Sequence, residues 1–119
     1  MTTETYELYA LRYAHLETSR SHTFLGGVAQ DGPLAMDYYV WVARSESRTV
    51  LIDTGFDEAT ARRRGPQWER CPIDSLSMLG IQPDEIRDVV VTHLHYDHAG
   101  NLNKLPAATL HLQQREMAF

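Results

Sequence analysis

An α/β fold follows from three features of the sequence. Strand-like runs at 34–42, 49–52, 87–92 and 108–112 alternate with helix-like stretches at 57–64 and 72–79. Polar clusters stand where two of the apolar runs end, at 53–55 and at 92–101. Apolar strands capped by polar loops are the places where sites are usually built.

The elements follow in order. Tyr6 to Leu16 sets Tyr9, Leu11 and Tyr13 against Glu7 and Arg12 in near alternation, which predicts an opening strand. Ser19 to Pro33, rich in Ser, Gly and Asp, predicts a loop whose His22 and Phe24 are candidates to cover a pocket mouth. Leu34, Met36, Tyr38, Val40 and Val42 alternate with Ala35, Asp37, Tyr39, Trp41 and Ala43. After the polar turn RSESR, Thr49 to Ile52 returns, so residues 36–53 are predicted to form a hairpin. Both of its faces are fairly apolar, which predicts that a helix layer or second sheet covers it.

Asp57 to Arg64 has an acidic start, three arginines at its end and Gly65-Pro66 beyond, the charge order a helix dipole favours. Trp68 and Cys71 lie in a connector. Pro72 to Leu79, with Gly80 just past it, predicts a second helix whose Ile73, Leu76 and Leu79 face the core. Pro83 to Ile86 reads as one turn, Arg87 to Thr92 as a buried strand and Leu102 to Pro106 as the end of a loop. Ala108 to Leu112 reads as a strand, and Gln113 to Phe119 as the start of a helix.

Composition narrows the function. With 119 residues, 43% hydrophobic and 23% charged, the chain has the makeup of one globular domain. A formal net charge of −5 argues against an electrostatic nucleic-acid binder, and the one basic cluster, Arg62 to Arg64, reads as a solvated helix end. The start MTTETYELYALRY has neither a basic beginning nor a long apolar run, so no signal peptide or membrane anchor is read there and a cytoplasmic location is expected. Cys71 is the only cysteine and reads as a buried structural thiol.

The densest chemistry is THLHYDHAGN, residues 92–101, directly after Val89, Val90 and Val91. Alternate residues of an extended segment point the same way, so His93 and His95 are expected to aim at one metal ion. Asp97 and His98, turned by Gly100 and Asn101, are expected to aim at a second. Imidazole and carboxylate suit zinc first, with manganese, iron or cobalt as alternatives. Asp53 reads either as an acceptor that fixes a neighbouring His or as a cap for local amides. His15 and His111 stand alone and read as structural.

H-x-H-x-D-H after a hydrophobic strand, with Asp53-Thr54-Gly55 upstream, resembles the metallo-β-lactamase superfamily. The wording of THLHYDHAGN, LIDTGF and WERCP is similar to its N-acyl homoserine lactonase group, the quorum-quenching lactonases, from about Tyr6 onward. The resemblance implies an αβ/βα sandwich with the metals at its seam. In that family a domain about twice this long supplies a later His for each ion and a bridging Asp. No residue after Asn101 matches those positions, and His111 comes too early, so residues 1–119 are expected to be the amino-terminal part of one such domain. A carboxy-terminal half would complete the site.

The resemblance further implies two zinc ions per complete domain, one on His93 and His95 and one on Asp97 and His98. Asp53 would lie near them without ligating. It also implies a hydrolase in which a metal-activated hydroxide opens a small-molecule lactone or ester and Asp97 serves as acid for the leaving oxygen. Competing readings are a glyoxalase II-like thioesterase, a phosphodiesterase, a β-lactamase, or a non-catalytic fragment with an incomplete metal site. Neither nucleic acid nor membrane is an expected partner.

Overall fold

The computed structural model describes residues 3–23, 26 and 30–118, without the side chains of His22 and Thr23. In chain order the elements are β1 (Glu7–Ser19), α1 (Arg20–Thr23), β2 (Pro33–Arg44), β3 (Thr49–Ile52), α2 (Glu58–Arg64), β4 (Gln67–Trp68), β5 (Asp88–Val91), β6 (Thr109–Leu112) and α3 (Gln114–Met117). The six strands form one sheet in the order β4-β1-β2-β3-β5-β6.

Two halves of this sheet are built differently. β1, β2 and β3 are antiparallel neighbours, and the predicted hairpin pairs Trp41 with Ile52 and Arg44 with Thr49. Its turn is closed by the Ser45 amide donating to the Arg48 carbonyl at 2.8 Å. β5 then lies parallel to β3, and β6 parallel to β5. Parallel neighbours cannot be joined by a tight turn and need a long crossover. The first crossover carries α2 and two 3-10 segments, Asp74–Leu79 and Pro83–Glu85. The second is the histidine-rich stretch itself.

The crossovers cover one face of the sheet. Tyr13, Val40, Val42, Leu51 and Val89 are buried there against Phe56, Ile73, Leu76 and Ile86. Each such side chain contributes about 1.5–3 kcal/mol by leaving water. α2 is set by its ends: the Asp57 carboxylate accepts from the Thr60 amide at 2.8 Å, and Gly65 closes it at φ 103°.

Several expectations are corrected in detail. The opening strand runs on to Ser19, and the predicted loop after it begins as the helical turn α1. Residues 72–79 form a 3-10 segment from Asp74 to Leu79 instead of an α-helix. Ile73, Leu76 and Leu79 recur every three residues, the repeat that eclipses side chains in a 3-10 helix. The opposite face of the hairpin is not covered within the described residues: Tyr39, Trp41 and Leu8 are 36%, 39% and 62% exposed. The buried residues of α2 and of the Asp74–Leu79 segment, Ala61 and Leu76 among them, pack into the core on the other side. The pocket-covering role expected of His22 and Phe24 concerns side chains outside the described residues. Among the described residues no helix is long and apolar enough to cross a membrane.

Candidate metal centre

Because β3 and β5 are parallel neighbours, their carboxyl ends emerge at one edge of the sheet, where open α/β sheets usually bind ligands. Asp53 follows β3 and Thr92 follows β5. The Asp53 amide donates to the Val90 carbonyl at 2.8 Å, while its backbone turns to φ 63°. That left-handed conformation swings the buried carboxylate towards the second loop. Oδ1 accepts from the Thr92 amide at 2.8 Å and the Thr92 hydroxyl at 3.0 Å. Oδ2 lies 2.7 Å from His98 Nδ1. Such a contact places the proton on Nδ1 and leaves Nε2 free for a metal.

The two loops are also joined through their backbones. The Thr54 amide donates to the His98 carbonyl at 3.0 Å, and the Gly100 amide to the Gly55 carbonyl at 2.9 Å. A Cβ on Gly100 would lie 2.5 Å from the Gly55 oxygen, so only glycine allows this approach. The Asn101 side-chain amide donates to the Thr54 carbonyl at 3.0 Å. From the far side, Glu116 of α3 accepts from the Leu94 amide at 2.7 Å.

Held in this way, the four candidate side chains gather at one place. The His93 ring lies between two others, with centroids 4.5 Å from His95 and 4.0 Å from His98. His98 Nε2 is 3.4 Å from Asp97 Oδ2, and His93 Nδ1 is 2.9 Å from the Thr92 hydroxyl. The strand stops at Val91, so His93 and His95 are brought together by the loop and not by strand alternation. The donors are nitrogen and carboxylate oxygen. The buried thiol of Cys71 is occupied elsewhere, 3.4 Å from Lys104 Nζ.

That donor set fits a zinc-like ion in kind. Among the described residues no three His, Cys, Asp or Glu side chains already converge on a single point, so the fit is one of neighbouring donors and not of a closed shell. Beneath the loop lies an aromatic cluster. Tyr13 and Tyr38 pack against Phe56 at 5.0 and 5.2 Å, and Tyr96 lies 5.6 Å from the same ring. Burial pushes the Tyr13 and Tyr38 phenols well above the usual tyrosine range, so both stay protonated donors at working pH. Arg64, at the end of α2, sits 3.9 Å over the Tyr96 ring. Tyr96 therefore faces packing.

The sequence profile of the metallo-beta-lactamase superfamily matches residues 35–111, well over half of the chain. The chain belongs to the metallo-β-lactamase superfamily. Its curated relatives within that superfamily include the N-acyl homoserine lactonase AttM of Rhizobium johnstonii, 46% identical over 47 residues, which are 40% of this chain and 18% of that protein. Metallo-beta-lactamase domain-containing protein 1 of Mus musculus is 36% identical over 61 residues, covering 51% and 20%. Among solved structures, an N-acyl homoserine lactone hydrolase with the product N-hexanoyl-L-homoserine at its catalytic metal centre superposes with a TM-score of 0.77 at 19% identity. That match takes in 98% of this chain and 52% of the other, so the chain spans about half the length of its solved relative. At such identity the likeness is one of fold.

As a superfamily chain it has supporting residues that its motifs alone do not reveal. Thr92 bonds both Asp53 and His93, Thr54 holds the His98 carbonyl, and Tyr13 reaches the motif loop from β1. The first two lie within the quoted motifs and carry hydroxyls at strand ends, which is the signal available for them. Tyr13, 84 positions from Asp97, carries none. His15 and His111 lie off the site, each against a carboxylate: Glu69 at 3.0 Å and Asp88 at 3.0 Å.

Proposed function

We propose that this chain carries the amino-terminal part of a metal-dependent hydrolase that opens the lactone ring of N-acyl homoserine lactones. The observation that carries the reading is the gathering of His93, His95, Asp97 and His98 over Asp53 at the carboxyl ends of two parallel strands. In this reading His93 and His95 hold one ion and Asp97 and His98 the other, zinc being the metal that the donors suit best. A bound ion of this kind supplies a water acidic enough to ionise near neutral pH and a Lewis acid for a carbonyl oxygen.

The remaining work falls to residues of the chain. Asp53 fixes the His98 tautomer. Asp97, half sheltered beside His98, takes a proton from the attacking water and returns it to the alkoxide oxygen released when the ring C–O bond breaks. One water is added and nothing departs. Two protein donors per ion fall short of the three that catalytic zinc usually has. The proposal therefore takes the missing donors from a carboxy-terminal half, in keeping with the doubled length of the solved relative and the bare outer face of the sheet.

A second reading is another superfamily hydrolase, acting on a thioester or phosphodiester; the mouse relative is named for its metallo-beta-lactamase domain alone. Assays of the full-length protein with an acyl homoserine lactone, a thioester and a phosphodiester separate the two. Lactone opening is expected; cleavage of another substrate with no lactone opening would overturn the leading reading.

A further inference from the structure

We infer that Tyr13 is a positioning residue for the metal loop: a buried tyrosine on β1 whose ring packs on the loop after β3 and whose hydroxyl fixes the peptide carrying Asp97 in the loop after β5. The inference rests on the metal-site reading above and adds a residue to it. Three independent observations bear on Tyr13. First, the register of β1 against β2 slips there, with Arg12 opposite Tyr39 and Ala14 opposite Tyr38. Tyr13 is the extra residue of a bulge, and both it and Ala14 are fully buried. Bulges of this kind re-aim side chains and are frequent beside active sites. The Tyr13 carbonyl is taken instead by the Glu69 and Arg70 amides, at 2.8 and 3.2 Å.

Second, the chain clears a path for the ring. Gly55 sits at φ 71°, and a Cβ there would meet Tyr13 Cζ at 2.8 Å. A side chain at Gly55 and a phenol at Tyr13 cannot coexist without movement. The ring is clamped by Phe56, edge-on at 5.0 Å, and by Tyr38 at 6.2 Å.

Third, the hydroxyl reaches the loop after β5. It donates to the Asp97 carbonyl at 3.3 Å, while the ring below it packs edge-on against Phe56 of the loop after β3. The next carbonyl, that of His98, is held by the Thr54 amide and hydroxyl at 3.0 and 3.3 Å. Consecutive carbonyls of two candidate ligands are thus pinned, one from β1 and one from the loop after β3. Packing alone asks only for a ring at this position; the hydroxyl is what reaches Asp97.

The test is Tyr13→Phe in the full chain, which keeps the ring and removes the tie. Cobalt(II) affinity is read by chelator competition, and hydrogen exchange of residues 93–101 is read without metal. Val40→Ala, a core truncation away from the loop, controls for lost stability. The expected result is a drop in cobalt affinity of about tenfold or more, the scale seen when a ligand's supporting partner is lost. Exchange in the loop should quicken, while Val40→Ala lowers Tm with cobalt affinity unchanged. Parent-like affinity and exchange in Tyr13→Phe would overturn the inference, as would equal losses of affinity in both variants. A parent protein that takes up no cobalt would overturn the metal reading itself and this inference with it.

Discussion

At φ 63° a residue other than glycine needs its surroundings to hold it, and Asp53 is held by the Thr92 amide, the Thr92 hydroxyl and His98. Asn also tolerates the left-handed region, so Asp53→Asn should fold. It loses the charge that orients His98, and metal affinity in the full-length protein is expected to fall about 10- to 100-fold. Unchanged affinity by chelator competition would show that His98 needs no such support. Gly100→Ala tests the approach of the two loops. Its Cβ would meet backbone, the Gly55 oxygen at 2.5 Å and the Phe56 Cα at 3.1 Å, so the loops must part. A loss of about 1–3 kcal/mol is expected from such overpacking, read by denaturant unfolding. At this scale the candidate ligands stand out in the sequence because they are neighbours in one loop. Asp53 was legible as an acceptor for a neighbouring His, which is His98 at 2.7 Å, but its hold on Thr92, 39 positions away, was not.

The short helix α2 shows what capping contributes. Asp57 accepts from the Thr60 amide, and Asp57→Ala is expected to remove about 1 kcal/mol at pH 7. That amide, with the Thr60 side chain, holds the Asp57 carboxyl below the usual aspartate range. A carboxyl lowered on folding stabilises above its unfolded pKa and loses that contribution as pH falls through its folded value. The Tm gap between parent and Asp57→Ala should therefore be full at neutral pH and shrink below about pH 4. A gap constant down to acid unfolding would contradict it. The hairpin, α2 and the strand before the motif were legible because apolar alternation and helix-end charges are local signals. The segment after Pro72 was misread as α-helical although its apolar residues recur every three positions, a spacing shared by both helix types over so short a run. The bulge at Tyr13 left no trace, since its cause is a loop far along the chain.

For the molecule as a whole, the two faces of the sheet differ. One is sealed by the crossovers; the other presents Leu8, Tyr39 and Trp41, with the rings of Tyr39 and Trp41 5.9 Å apart. The sequence announced two apolar faces but not which one its own helices would take. If a second half covers the outer face in the longer protein, Trp41→Glu buries an unpaired charge there and should destabilise by about 3–5 kcal/mol. In residues 1–119 alone the same change should leave Tm nearly unmoved; equal tolerance in both forms would leave the outer face without its expected cover. A pair of metal ions held by four neighbouring side chains is the centre of the proposed function. Elemental analysis of the full-length protein beside His95→Ala and Asp97→Asn tests this directly. Two equivalents of zinc in the parent, with metal and activity lost together in both variants, is the predicted result. No transition metal under any loading condition, or undiminished zinc in both variants, would contradict it.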